Sequence, residues 1–213
     1  MTGAQAELAT ERDRRAARIG EDAAWRARIR AGASMLMDAV RRAEAEARAL
    51  GVMNPEPPDR RVIPVCARFW ALGIETTGSC EGHLWVEDPP GRPRMSDSFF
   101  VLAVPKDRRA LWRRILTRIF TGQAYLIGYG TSVRIERIGG AKARRGRIES
   151  RSSYAYVLSI RYDLRPAIER RAGAPTDPTP SDYAARRAEA LRRLARLLDQ
   201  FGCDQIRHQG SSM

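Results

Sequence analysis

Residues Ser153 to Leu164 read SYAYVLSIRYDL, and this run decides the fold class. Large side chains alternate in it with smaller or polar ones, at Tyr154, Tyr156, Leu158, Ile160 and Tyr162. An alternation with period two is typical of a strand that buries one face. Residues 125–138 carry a similar pattern, so the sequence predicts two long strands that pair as an antiparallel hairpin.

Shorter patterns upstream and downstream complete the expected architecture. Apolar runs predict strands over 74–77, 84–87 and 98–104, with a polar loop over 88–97. Helical spacing predicts helices over 10–50, 59–73, 106–120 and 181–202. The fold class is therefore α+β: a small, mostly antiparallel sheet packed with helices, a long N-terminal helix and an amphipathic C-terminal helix.

Proline-rich stretches divide the chain into three parts. Residues 54–58 and 172–180 are predicted linkers. They separate an N-terminal helical segment (1–52), an α+β core domain (59–171) and the C-terminal helix (181–202). The apolar stripe of the first helix indicates core packing or a homodimer contact.

Helix boundaries are predicted from capping residues and glycines. Asp59 should cap the second helix, which Gly73 should end. Ser181 or Asp182 should cap the last helix, and Gly202 should end it. The first helix is expected to break near Gly20 or Gly32, because glycine weakens helix interiors.

The charge is strongly positive, at a net +13. Two segments, 106–118 and 137–151, each carry six bases and one acid. Such basic segments favour contact with nucleic-acid phosphates, for which we select Arg113, Arg114, Arg144, Arg145 and Arg147. The alternative is compositional bias, since only Lys106 and Lys142 are lysines.

Cysteine usage and hydropathy indicate the compartment. The chain has three cysteines, no secretory start and no apolar run long enough to cross a bilayer. We therefore expect a soluble, cytoplasmic protein without membrane partners.

The run TTGSCEGH, residues 76–83, carries the candidate chemistry. Cys80 and His83 are spaced as zinc ligands, and Cys203 and His208 form a second such pair, so a Cys2His2 zinc site is predicted. Cys66 is a possible substitute ligand. The alternative is that Cys80 is a small buried residue and that His208 lies in a tail.

A nucleophilic role for Cys80 is a further alternative. The segment Gly78 to Gly82 matches G-x-C-x-G, but a nucleophile elbow is followed by a helix, whereas here a strand is expected. Glu81 beside it could act as an acid or base. The candidate catalytic residues are Cys80, Glu81 and His83.

The same run resembles a known signature. It reads T-x-x-S-C-x-G-H, as in uncharacterised bacterial and phage proteins, and is similar to T-T-S-S-C-S-G-R of the wybutosine-synthesis methyltransferase family, which modifies tRNA. The resemblance covers about residues 60–105; His83 replaces the family's arginine, and the upstream Asp-x-Ser-x-Lys-Gly element is absent. It implies S-adenosylmethionine as cofactor, and a substrate or cofactor pocket at a sheet end lined by Thr76, Ser79, Cys80, Gly82 and His83.

These observations lead to one expected function and two alternatives. We expect a nucleic-acid-associated protein, for DNA or RNA, with a Cys/His zinc site at the Cys80 turn. The first alternative is an RNA-modification enzyme of methyltransferase type that uses the same turn. The second is a protein-interaction factor that docks through its terminal helices.

Overall fold

A computed structural model describes residues 3–52, 57–86, 93–121, 131–138, 153–162 and 179–210. The helices are α1 (Gly3–Ala49), α2 (Ile63–Ala71), α3 (Arg109–Thr121) and α4 (Pro180–Gly210), with a 3-10 turn at Lys106–Arg108. The strands are β1 (Glu75–Cys80), β2 (Leu84–Val86), β3 (Pro93–Met95), β4 (Ser98–Pro105), β5 (Thr131–Arg137) and β6 (Ser153–Tyr162). The predicted α+β class, with its long first helix and its C-terminal helix, is confirmed.

Four strands form an antiparallel sheet in the order β1-β4-β6-β5. Leu158 of β6 lies opposite Phe100 of β4 on one side and Ile135 of β5 on the other. The predicted antiparallel pairing of β5 with β6 is confirmed. Residues 122–130 and 139–152, which include part of the predicted first strand and the glycine-rich segment, lie outside the described residues.

One face of this sheet supplies the core. Phe69 of α2 packs against Phe100, with ring centroids 5.9 Å apart, and against Trp112 of α3 at 6.4 Å. Trp112 in turn contacts Tyr156, at 5.5 Å. Aromatic pairs at these separations add about 0.5–1.5 kcal/mol beyond the burial of their area. The chain of rings therefore joins α2, the sheet and α3.

Asp199 of α4 links three helices. Its carboxylate accepts a hydrogen bond from Trp25 Nε1 of α1 at 2.7 Å and from Arg68 Nε of α2 at 2.8 Å. Trp25, Leu36 and Ala47 are buried, so this part of the apolar stripe of α1 packs within the chain's own core, whereas Leu50 is exposed.

The predicted end of α2 is confirmed. Gly73 has φ +74°, which glycine adopts without strain. Its N–H bonds to the Trp70 carbonyl, and the Ile74 N–H bonds to the Phe69 carbonyl. This pair of bonds is the Schellman motif, which turns the chain directly into β1.

Other predicted boundaries are wrong. The helix α1 is continuous through Gly20 and Gly32, and α4 continues past Gly202. A Cβ atom at Gly32 would lie 2.4 Å from the Ala67 carbonyl oxygen, and one at Gly202 would lie 2.3 Å from the Trp25 ring. Both glycines allow two helices to approach closely, and neither stops a helix.

Two further corrections concern loops and caps. Thr179 caps α4, because its Oγ1 accepts a hydrogen bond from the Asp182 N–H at 3.2 Å. In return the Asp182 carboxylate accepts the Thr179 N–H at 2.8 Å and its hydroxyl at 2.7 Å, in a capping-box arrangement. Asp182 is therefore the partner of the cap, and these bonds hold the pKa of its carboxyl below the usual value. The predicted loop over 88–97 contains β3, which pairs with β2.

Within the described ranges, every helix is too short or too polar to span a lipid bilayer.

Candidate metal centre at the Cys80 turn

The strand β1 ends at Cys80, and the chain reverses at Gly82 before β2 begins. Gly82 has φ +87°, a conformation that side-chain-bearing residues rarely adopt. A Cβ atom there would lie 2.5 Å from the Ser96 carbonyl oxygen. The turn therefore requires glycine both for its backbone angle and for the space beside Ser96.

Backbone hydrogen bonds hold the turn in place. The Glu81 N–H donates to Asp59 Oδ2 at 2.9 Å, and the His83 N–H donates to Ser96 Oγ at 2.7 Å. The Ser98 hydroxyl donates to the Glu81 carbonyl oxygen. Asp59 was expected to cap α2, but the structure shows no side-chain cap on that helix. Its carboxylate instead reaches the Cys80 turn.

A buried arginine from α4 also supports the turn. Arg187 exposes only 7% of its surface. Its Nη1 donates to the Gly82 carbonyl oxygen at 2.7 Å and lies 3.4 Å from Glu81 Oε1. Arg61 approaches the same carboxylate oxygen, at 3.2 Å. Glu81 is thus held between two guanidinium groups, which gives it a positioning role at the turn.

Three side chains converge at the surface of the turn. Cys80 Sγ lies 3.3 Å from His83 Nε2, and one ligand atom from each of Asp59, Cys80 and His83 lies within 4.8 Å of the other two. Tetrahedral zinc places a thiolate and an imidazole nitrogen about 3.5 Å apart, given its usual bond lengths. The donor set and its spacing therefore fit a zinc ion.

The electrostatics of Cys80 do not favour a free nucleophile. Partial burial raises the pKa of its thiol, and the Asp59 and Glu81 carboxylates raise it further. The hydrogen bond from the Gly82 N–H to the sulfur lowers the pKa, but the net shift is upward. A thiol with a raised pKa is mostly protonated at neutral pH. The turn is also followed by β2 and not by a helix, as the sequence predicted.

The structure does not bring Cys203 and His208 to this group. Cys203 lies on α4, 16 residues beyond Arg187, which corresponds to about 24 Å along the helix axis. Its thiol contacts Asp22 of α1 at 3.6 Å, and burial, with help from Asp22, raises its pKa to about 11. The group that the described residues form has Asp59 in place of the second Cys/His pair.

The residues of the T-x-x-S-C-x-G-H run divide between two places. Thr76 and Ser79 line a cavity between α1 and β1, and Thr76 accepts a hydrogen bond from Trp70 Nε1 at 3.0 Å. Cys80 and His83 face Asp59 instead. Cys66, the suggested substitute ligand, is buried beside Thr76 and Ser79, and burial raises the pKa of its thiol.

The start of α3, where Arg109 lies over the Tyr154 ring, is at the opposite end of the sheet from Cys80. Cys80 pairs with Phe99 at one end of β4, and Ser153 pairs with Pro105 at the other. Six residues of extended chain separate Phe99 from Pro105, or about 20 Å. The predicted substrate contacts Arg113 and Arg114 are therefore not part of the Cys80 site.

We call this second region the basic end, comprising Lys106, Arg108, Arg109, Arg113 and Arg137. Within it, Arg109 and Arg137 both stack on Tyr154, 5.4 and 4.9 Å from the ring centroid. Arg113 and Arg114 are both exposed, and Arg114 stacks on Phe201 at 5.7 Å. Arg144, Arg145 and Arg147 lie outside the described residues.

Sequence reasoning missed two residues of the site. Asp59 precedes a predicted helix, so its position indicated a helix cap. No neighbouring residue in the sequence relates it to Cys80. Arg187 is one arginine among many on an arginine-rich helix. Only the three-dimensional contacts distinguish either residue.

Comparison with known proteins adds no relative: neither a protein-family model, nor a curated protein, nor a solved structure matches the chain.

Proposed function

We propose that the protein carries a zinc centre formed by Asp59, Cys80 and His83, with a fourth coordination position open to water or a small-molecule substrate. The observation that carries this proposal is the convergence of three different ligand types within 4.8 Å. Structural zinc sites use four protein ligands, whereas catalytic sites use three. The described residues supply three ligands, and a centre with three protein ligands favours a binding or catalytic role over a structural one.

The surrounding residues have defined roles in this proposal. Asp59 would hold the ion with its carboxylate, whose orientation is fixed by the hydrogen bond that it accepts from the Glu81 N–H. Arg187 and Ser98 hold the carbonyl groups of the turn and keep Cys80 and His83 in register. A bound zinc ion would supply Lewis-acid chemistry and a water of lowered pKa.

Cobalt(II) substitution tests the centre. Metal-free protein titrated with cobalt should develop a thiolate-to-cobalt charge-transfer band in the near ultraviolet, with saturation at one ion per chain. Cys80→Ser should abolish the band, while Cys203→Ser, the matched control, should keep it. A band that disappears only in Cys203→Ser would overturn the assignment.

A second candidate function is association with nucleic acid through the basic end. Arg137, two residues before the basic segment 139–152, and Ser153, directly after it, lie at the same end of the sheet as Lys106 and Arg109. Basic residues of three elements, Lys106, Arg109 and Arg137, thus lie at the end of the sheet where this segment joins it, an arrangement suited to phosphate contacts. The exposed stack of Arg109 and Arg137 on Tyr154 also suits nucleobase contact.

Salt dependence distinguishes this function from compositional bias. Each phosphate contact on duplex DNA contributes about 0.9 to the slope of log affinity against log salt. Changing Arg144, Arg145 and Arg147 to Gln should lower that slope by about 2–3. The matched control changes the exposed Arg12, Arg15 and Arg18 of α1 to Gln and removes the same charge. Equal slopes for the two triple variants would mean that net charge alone drives binding.

A further inference from the structure

A cavity of about 570 Å³ lies between the second half of α1 and the strand β1. Its wall on the α1 side is mainly apolar, with Met35, Leu36, Ala39 and Val40, and Trp70 of α2 contributes an aromatic surface. Pockets for small molecules usually measure about 300–1,000 Å³ and are mostly apolar, with a few polar groups. The size and lining of this cavity fit that description.

The opposite wall is the open edge of β1. The five consecutive residues Glu75 to Ser79 all line the cavity, although successive side chains of a strand point to opposite faces. Consecutive residues line one space where the strand's edge faces it, and the bulge between Thr76 and Gly78 adds to the effect here. Among the described strands, β1 pairs with β4 alone, so the N–H and C=O groups on its other edge are directed toward the cavity.

The cavity also adjoins the proposed metal centre. Pro58 lines the cavity and is followed by Asp59; Ser79 lines it and is followed by Cys80. Consecutive Cα atoms are about 3.8 Å apart. Two of the three proposed zinc ligands therefore lie one residue beyond the cavity wall, on two separate segments of the chain.

We infer that this cavity is the ligand pocket of the metal centre. It takes a compact, mainly apolar small molecule, whose body packs against α1 and Trp70 and whose polar groups bond to the edge of β1. A metal-binding group at one end of the molecule reaches the ion beyond Ser79. This inference rests on the proposed zinc centre and adds the class of molecule that the centre takes.

Hydroxamates with different tails test the inference, because their common head group binds zinc. Isothermal titration of the zinc-loaded protein compares acetohydroxamate with 2-naphthohydroxamate. The naphthyl tail should tighten binding at least about tenfold, since it buries apolar area in the cavity. Acetohydroxamate reports binding to the ion alone.

Filling the cavity should remove the advantage of the tail. Ala39→Trp places an indole in the cavity, so both hydroxamates should then bind with similar affinity. Ala43→Trp is the second variant should the first fail to fold, because Ala43 lines the cavity and is exposed. Ala45→Trp is the matched control, since it is exposed on the same helix and does not line the cavity.

The outcomes separate the two proposals. The pocket assignment would be wrong if the protein takes up zinc but binds both hydroxamates equally well. It would also be wrong if 2-naphthohydroxamate still binds more tightly in Ala39→Trp and Ala43→Trp. Either result would leave the metal centre standing. Failure of the wild-type protein to take up zinc would overturn the metal centre, and the pocket with it.

Discussion

The two ends of the four-stranded sheet use arginine in opposite ways. At the metal end, which comprises Asp59, the turn from Cys80 to His83, and Arg187, the arginine is buried and bonded to the Gly82 carbonyl and to Glu81. At the basic end, Arg113 is exposed, and Arg109 and Arg137 lie over the Tyr154 ring. Composition alone does not separate these two uses, whereas burial does.

The difference has an energetic reason. A guanidinium removed from water must recover its hydration energy from fixed partners, so the loss of either partner is costly. An arginine over an aromatic ring near the surface keeps most of its water, and such a contact contributes about 0.5–1 kcal/mol. The arginine at the metal end is therefore held by fixed partners, whereas the arginines at the basic end stay largely hydrated.

The largest expected effect compares one arginine from each end. Arg187→Ala should lower the free energy of unfolding by about 3 kcal/mol, because it leaves the Gly82 carbonyl unbonded and removes a buried partner of Glu81. Arg113→Ala, the matched control, should change it by less than about 0.5 kcal/mol. Urea denaturation measures both. Equal effects would break the comparison.

A smaller effect should appear at high pH. Burial raises the pKa of Tyr162 to about 12, and its hydroxyl lies 2.6 Å from the Ser98 hydroxyl that supports the Cys80 turn. Below the ordinary tyrosine pKa of about 10, the Tyr162 side chain is neutral in both the folded and the unfolded state, so its ionisation does not affect the stability. Between about pH 10 and 12 the unfolded chain ionises first, so the stability should fall by about 2–3 kcal/mol.

Tyr162→Phe isolates that contribution. At neutral pH the variant should lose about 1 kcal/mol with the hydrogen bond to Ser98. Its stability should then fall less steeply than the wild type between about pH 10 and 12. Parallel curves of stability against pH for the two proteins would contradict the assignment.

Much of the fold could be predicted from local patterns. The alternation in β6 and the inner face of α2 depend on burial of one side of an element, and sequence periodicity records this directly. The roles of Gly32 and Gly202 could not be predicted, because glycine in a helix weakens it locally in every context. Only the close approach of Ala67 and Trp25 shows why those glycines are present.

The candidate site was predictable to the extent that its residues are adjacent in sequence. Cys80 and His83 are three residues apart and could be paired by spacing. Asp59 and Arg187 come from other segments, 21 and 107 positions from Cys80. The sequence offered Cys203 and His208 as partners because they form a second Cys/His pair at metal-ligand spacing, whereas the packing of α4 places Cys203 against α1.

The most direct test of the central claim is zinc content after dialysis, measured by elemental analysis in three proteins. The wild type and the double variant Cys203→Ser, His208→Ala should each retain one zinc ion per chain. Asp59→Asn should lose it, because the amide is a poor zinc ligand, although it can still accept the Glu81 N–H. A wild-type protein without zinc, or zinc that is kept by Asp59→Asn and lost from the double variant, would contradict the account.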